Sequence, residues 1–184
     1  IAGGNNPNVQ GTVSDNAVKS VSVNGGNSAS RAGGYIRLNK AYSGGSLRRQ
    51  AHAFADDIVL ALTGVKGIAQ TKVAFKVDTG SASEIYISDF DVFNGSAKAV
   101  THDNTIVAAP TWVPGQLALY YTSYRLGNPD IFQHNLGSGA RAAFSRHSGL
   151  NTSASVSPDG SRVAMILSKS GSPEVWVANA EGGD

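Results

Sequence analysis

The fold class predicted by the sequence is mainly β: a partial β-propeller of about 2.5 blades, each of four antiparallel strands, preceded by the remnant of a small α/β domain. Three observations predict it. Short strand-like runs recur with one period over the second half of the chain. A single strongly amphipathic helical segment stands in front of them. Gly, Ser, Asn and Asp cluster between the runs, where tight turns need them.

Composition bounds the alternatives. The chain has 184 residues, of which 41% are hydrophobic and 15% charged, enough to build a packed core. The formal net charge is only +2. No run of Lys or Arg exceeds two residues, so nucleic acid is not expected as a partner. With no Cys there is no thiol nucleophile, thiolate zinc site or disulfide framework. No apolar stretch approaches the ~20 residues of a membrane-crossing helix, so no direct membrane insertion is expected. The chain opens at Ile1 and shows no secretory leader, which points to a processed or partial N-terminus.

In chain order, residues 1–34 are rich in Gly, Asn and Ser and carry weak strand signals at Val9–Val13 and Val18–Val23. Ser14-Asp15-Asn16 supplies turn chemistry between them. A loop over Asn24–Gly34 leads to a further short strand at Tyr35–Leu38. From Ser46 to Thr63, Leu47, Ala51, Phe54, Ile58, Val59 and Leu62 recur at spacings of three and four, on one face of a helix. Ser46 suits the N-cap and Gly64 the left-handed position past the C-terminus. Asp56 and Asp57 are expected to face outward, with the apolar stripe lying on a small sheet.

Beyond Gly67 the repeat begins. Val73-Ala74-Phe75, Leu117-Ala118-Leu119 and Val163-Ala164-Met165 superpose with offsets of 44 and 46 residues. Glu84-Ile85-Tyr86, Asp130-Ile131-Phe132 and Glu174-Val175-Trp176 follow with offsets of 46 and 44, each an acid, a β-branched residue and an aromatic. Val100-Thr101 matches Phe144-Ser145, and Trp112 matches Val156. A period of this length holding four short strands is a blade signature. A lone blade cannot cover both its faces, so Tyr86, Phe132 and Trp176 are expected to pack between blades. The division is therefore residues 1–68 for the α/β remnant and 69–184 for the partial propeller.

Chemistry-bearing patterns are sparse. There is no G-x-S-x-G, and His52, His102, His134 and His147 stand singly without metal-binding spacing. Asp89-Phe90-Asp91 with Asn94-Gly95 departs from a calcium loop in the place of its Asn and lacks the closing Glu. It reads as a polar turn whose carboxylates cap backbone amides. Asp159-Gly160 reads as a hairpin turn.

The segment Ala51–Gly64 (AHAFADDIVLALTG), with Ile68 and the strand Lys72–Val77, resembles the junction between the N-terminal domain and propeller of the TolB family. Glu84–Asp91 (EIYISDFD) resembles that family's first-blade strand. Arg146-His147-Ser148-Gly149 followed by Ser157–Ser161 resembles its blade linker and strand turn. The resemblance covers roughly residues 45–184. It implies a six-bladed periplasmic propeller without catalytic activity or cofactor, working in the Tol–Pal envelope system. Its implied partners are a peptidoglycan-associated lipoprotein and other Tol proteins.

At this period a full propeller needs roughly 260 residues, so only two complete units and half of a third are expected here. On the propeller rim the resemblance puts Arg146, His147 and Leu150 against the lipoprotein, with Thr101–Asn104 as a second rim segment. The other readings are a propeller segment of a peptidase whose catalytic domain lies elsewhere, and a fragment that self-associates through open blade edges.

Overall fold

The computed structural model describes residues 31–32, 35–36, 38, 40–92 and 95–182. The strands expected at Val9–Val13 and Val18–Val23 lie outside them. The described residues fall into two compact units. One runs up to Lys72 and includes Asp89–Asp91; the other comprises Val73–Ser88 and the chain from Val92 onward.

In the N-terminal unit, β1 (Arg31–Ala32) pairs antiparallel with β2 (Tyr35–Ile36). The first of these lies where a loop was expected. Helix α1 (Leu47–Thr63) begins and ends as its cap residues dictate. Ser46 is extended and its Oγ accepts the Arg49 N–H at 3.2 Å. Gly64, at φ 73°, donates its N–H to the Leu60 carbonyl at 2.9 Å.

The face that α1 buries differs from the expectation. Leu47, Val59 and Leu62 are exposed, whereas Gln50 and Asp56 are buried. The cause is polar. The Asp56 carboxylate accepts the N–H groups of Ala69 at 2.6 Å and Gln70 at 3.1 Å, and the Gln70 amide at 3.1 Å. The segment after the helix thus folds back onto it, and those two backbone donors are satisfied. Gly67 makes the fold-back possible, because a Cβ there would collide with Asp56. Asp57 does not simply face outward either. It accepts from Lys40 Nζ at 2.7 Å and the Tyr42 hydroxyl at 2.6 Å. Partial burial pushes its carboxyl up, but these two donors hold it below the ordinary carboxylate value. Tyr42 also meets the Phe54 ring edge-on at 5.7 Å.

The second unit contains three antiparallel sheets. The first is β3 (Lys72–Asp78), β4 (Ser83–Asp89) and β5 (Lys98–Ala99). The second is β6 (Val107–Trp112), β7 (Ala118–Ser123), β8 (Asp130–Asn135) and β9 (Arg141–Ser145). The third is β10 (Asn151–Val156), β11 (Arg162–Leu167) and β12 (Glu174–Asn179). The ten strands match the expected extent of about two and a half blades, but among the described residues only the middle sheet has all four strands, where two complete units were expected. Against the repeat, the first sheet lacks an innermost strand and the third an outermost one among the described residues.

Register explains the packing. Leu119 pairs with His134 and Tyr121 with Phe132 on one face of the middle sheet; Tyr120 pairs with Gln133 and Thr122 with Ile131 on the other. Leu119, Tyr121 and Phe132 join Ile85 and Val107 in one core. Ala118, Tyr120 and Ile131 join Val163, Met165 and Leu167 in a second. A bulge recurs in the first strand of each of the two later blades, with Ala109 at φ 52° and Ser153 at φ 57°. The Ser157–Ser161 turn closes the β10–β11 hairpin. Asp159 accepts from Ser157, then from the Ser161 N–H and hydroxyl, which bring its carboxyl down to about 2.

Removing the Asp56 carboxylate as Asp56→Ala leaves two amides without their acceptor. It is expected to destabilise the N-terminal unit by about 1–3 kcal/mol. Urea unfolding followed by helical circular dichroism measures this. A change within error would show that Asp56 does not anchor the helix.

Candidate partner-binding rim

The linker from β9 to β10 carries Arg146, His147 and Leu150, and one buried side chain sets its path. Asn151 is fully buried. Its Oδ1 accepts the Ser145 hydroxyl at 2.8 Å and the His147 N–H at 2.9 Å. Its Nδ2 donates to the carbonyls of His147 at 2.8 Å, Pro129 at 3.1 Å and Gly149 at 3.3 Å. Gly149 turns the chain at φ 87°, and a Cβ there would strike the Ser168 side chain. The Ser168 hydroxyl in turn accepts the Leu150 N–H at 2.8 Å.

On this fixed backbone the three residues are presented differently. Arg146 donates through Nε to the buried carboxylate of Asp130 at 3.1 Å, yet 56% of its side chain stays exposed. His147 is held through its backbone, and its half-buried imidazole makes no hydrogen bond among the described residues. Both line an open pocket of about 280 Å³ with Phe144, Met165, Leu167 and Trp176. Leu150 is half-buried on the same linker but does not line the pocket. The buried indole N–H of Trp176 finds no acceptor among the described residues, and the Lys169 ammonium lies 4.1 Å from its ring centre.

The second rim segment is turned inward. Thr101 is buried and donates to Glu84 at 2.5 Å; the same carboxylate accepts the N–H groups of Asp103 at 3.1 Å and Asn104 at 2.8 Å. Asp103 takes Arg141 at 2.7 Å and the Ser123 hydroxyl at 2.7 Å. Arg141 also donates to the Tyr121 hydroxyl at 3.0 Å, whose pKa burial pushes up to about 12 against the pull of that cation. In this segment His102 and Asn104 are exposed, and the Asn104 backbone N–H is held by Glu84.

The acids that open the third strand of each blade therefore have a role that the sequence reading did not assign. Glu84 and Asp130 anchor the linkers that follow them. Their recurrence ahead of each aromatic was the available signal. Asn151 gave no such signal, since nothing in the repeat marks an Asn at that position.

The remaining candidates resolve into structure. Asp89 pairs with Arg48 at 3.1 Å and Lys72 at 2.7 Å; Asp91 pairs with Arg48 and with His52 at 3.1 Å. Among the described residues these carboxylates pair with Arg, Lys and His side chains rather than capping backbone amides as expected. Asn94 lies outside the described residues. Burial lowers the pKa of His134 despite the nearby Asp103 charge. Among the described residues no three His, Asp or Glu side chains are grouped to hold a metal ion, and no helix is long and apolar enough to cross a membrane.

Because Asn151 fixes five groups at once, Asn151→Ala is expected to destabilise the blade unit by about 3 kcal/mol and to speed amide exchange at His147 above all. Unchanged protection at His147 would show that the rim backbone is held by something else.

Comparison with known proteins places this geometry. Residues 59–184 match the family model described as the TolB beta propeller domain. The chain is 32% identical over 148 residues to the Tol-Pal system protein TolB of Desulfosudis oleivorans, covering 79% of this chain and 33% of that one. It is 34% identical over 183 residues to the Tol-Pal system protein TolB of Bordetella pertussis, covering 75% and 41%. The crystal structure of TolB from Acinetobacter baumannii superposes with a TM-score of 0.70 at 27% identity, covering 78% of this chain and 37% of that one. The chain thus spans about a third to two fifths of the length of these relatives, and by its repeat, its sheets and this match it belongs to the TolB β-propeller family.

Proposed function

We propose that this chain is a periplasmic protein-binding component of the Tol–Pal envelope system. In this reading it holds a peptidoglycan-associated lipoprotein at the β9–β10 rim, through Arg146, His147 and Leu150, and it performs no catalytic step. The observation that carries the reading is a linker backbone fixed by Asn151 that sets Arg146 and His147 in the lining of an open pocket.

The chemistry follows from that arrangement. Asp130 occupies Arg146 Nε, and much of the guanidinium remains exposed to meet a carboxylate or carbonyl of the partner. The His147 imidazole offers a flat surface with two ring nitrogens, neither committed to a hydrogen bond among the described residues. Because Asn151 already orders the backbone, binding costs less conformational entropy than it would on a loose loop. Arg is among the residues enriched at binding hot spots. The relatives are named as Tol-Pal system proteins, which supports the choice of system.

Titration calorimetry against a purified peptidoglycan-associated lipoprotein is the test. Arg146→Ala and His147→Ala are each expected to weaken binding about tenfold or more, with Lys98→Ala as a control on another blade. Unfolding curves of the His147→Ala and Lys98→Ala chains should match those of the unsubstituted chain, whereas Arg146→Ala also takes the cation from the buried Asp130 carboxylate and is expected to lower stability. Binding that is absent, or indifferent to both changes, would sink the assignment of this rim.

A further inference from the structure

One end of the middle sheet gathers a surface that the rim contacts named above do not use. Val107 pairs with Ser123, Ser123 with Asp130 and Ile131 with Ser145. The linker into β6, the β7–β8 loop and the β9–β10 linker therefore leave the sheet at the same end. They are also joined there. The Tyr124 N–H donates to the Ile106 carbonyl at 3.0 Å, and the Pro129 carbonyl accepts the Asn151 N–H at 3.0 Å. Ile106 and Tyr124 thus extend the β6–β7 ladder by one step, which makes their side chains cross-strand neighbours. A turn closed by the Gly127 N–H on the Tyr124 carbonyl, at 2.9 Å, then carries Arg125 and Leu126 at its corner.

Three apolar side chains meet solvent at this end: Ile106 is 51% exposed, Leu126 47% and Tyr124 37%. Turn geometry does not require them. The third sheet closes its equivalent turn in the same way, Gly171 on Ser168 at 2.9 Å, with Ser168 and Ser170 in the places of Tyr124 and Leu126. Packing does not require them either, since none of the three belongs to the cores that flank the middle sheet on its two faces. Clustered apolar groups without an internal role mark a contact surface.

The same end sorts its charges. The carboxylates of the two linkers and the loop, Asp103 and Asp130, are only 3% and 4% exposed and are taken by Arg141 and Arg146. His102, Arg125 and Arg146 are exposed. Acids are turned in and cations out, so the solvent side complements negative charge.

We propose that Ile106, Tyr124 and Leu126 form an apolar anchor for the rim's protein partner, which docks there with an acidic surface bearing an apolar side chain. This rests on the reading of the rim as a protein-binding site and adds the chemistry of the surface that it binds.

Titration calorimetry of the full chain against a purified peptidoglycan-associated lipoprotein tests it. Leu126→Ser is expected to weaken binding about tenfold, and Ile106→Ser with Leu126→Ser further still. Leu126→Met should stay within about threefold, because it keeps the apolar volume. Leu117→Ser is the control: this leucine is 49% exposed, at the opposite end of the same sheet, and its loss should change nothing. Raising NaCl from about 50 to about 500 mM should slow association. Thermal melts of the variants should match, since every altered side chain is exposed.

A complex that weakens on His147→Ala but is indifferent to Ile106→Ser and Leu126→Ser overturns this proposal and leaves the rim reading standing. No complex with the unsubstituted chain overturns both. Equal loss on Leu117→Ser removes the anchor, and association indifferent to salt removes the acidic partner. Binding to phosphatidylglycerol vesicles, or self-association of the chain, that Leu126→Ser abolishes would assign the patch another occupant and also overturn the proposal.

Discussion

A sheet that is apolar on both faces has to be covered on both, and the blade unit is organised around that requirement. Strand β7 states it most directly. Tyr120 and Tyr121 are neighbours in sequence, point to opposite sides of one sheet, and are both fully buried. A strand with one wet face would alternate polar with apolar residues. Here all six positions of β7 are buried, because blades pack on either side. Satisfying one face by adding a blade presents a new bare face, so the repeat propagates. The complementarity of small or β-branched residues against an aromatic is what lets one interface follow another.

The linkers solve a separate problem. Each must carry the chain from the last strand of one blade to the first strand of the next, leaving peptide groups that no sheet can pair. Buried polar side chains pair them: Glu84 for the first linker, Asn151 for the second, with Asp130 taking Arg146. The two linkers occupy equivalent places in the repeat but spend their side chains differently. Asp103 goes inward to Arg141, whereas His147, at the corresponding position, turns its ring toward a pocket. One period can thus hold both an inward-tied joint and a linker that lines an open pocket.

How far the sequence reveals this depends on the kind of interaction. The helix was legible to its ends, because Ser46 and Gly64 act through local backbone geometry that residue type alone fixes. The blades were legible because alternation and period are properties of spacing. The buried face of α1 was not. Helical periodicity assigns burial by hydrophobicity, and in α1 a buried carboxylate gathering Ala69 and Gln70 decides which side faces inward, leaving Leu47 and Leu62 in solvent. Asn151 was missed for a related reason. Its partners are backbone groups of Pro129, His147 and Gly149, and backbone groups leave no trace in a sequence.

These two classes of interaction divide the molecule by consequence. Blade faces act through apolar area, which is cooperative and indifferent to direction, so a change there alters stability or association together. Rim side chains act through oriented hydrogen bonds whose other partners are already buried and fixed. A change at His147 removes an imidazole with no hydrogen bond among the described residues while Asn151 keeps the backbone beneath it in place, whereas a change at Arg146 also leaves the buried Asp130 carboxylate without its cation. Positions such as His147 can therefore vary independently of the cores, and Arg146 cannot. That separation lets equivalent linkers of one repeat carry different side chains on similarly fixed backbones.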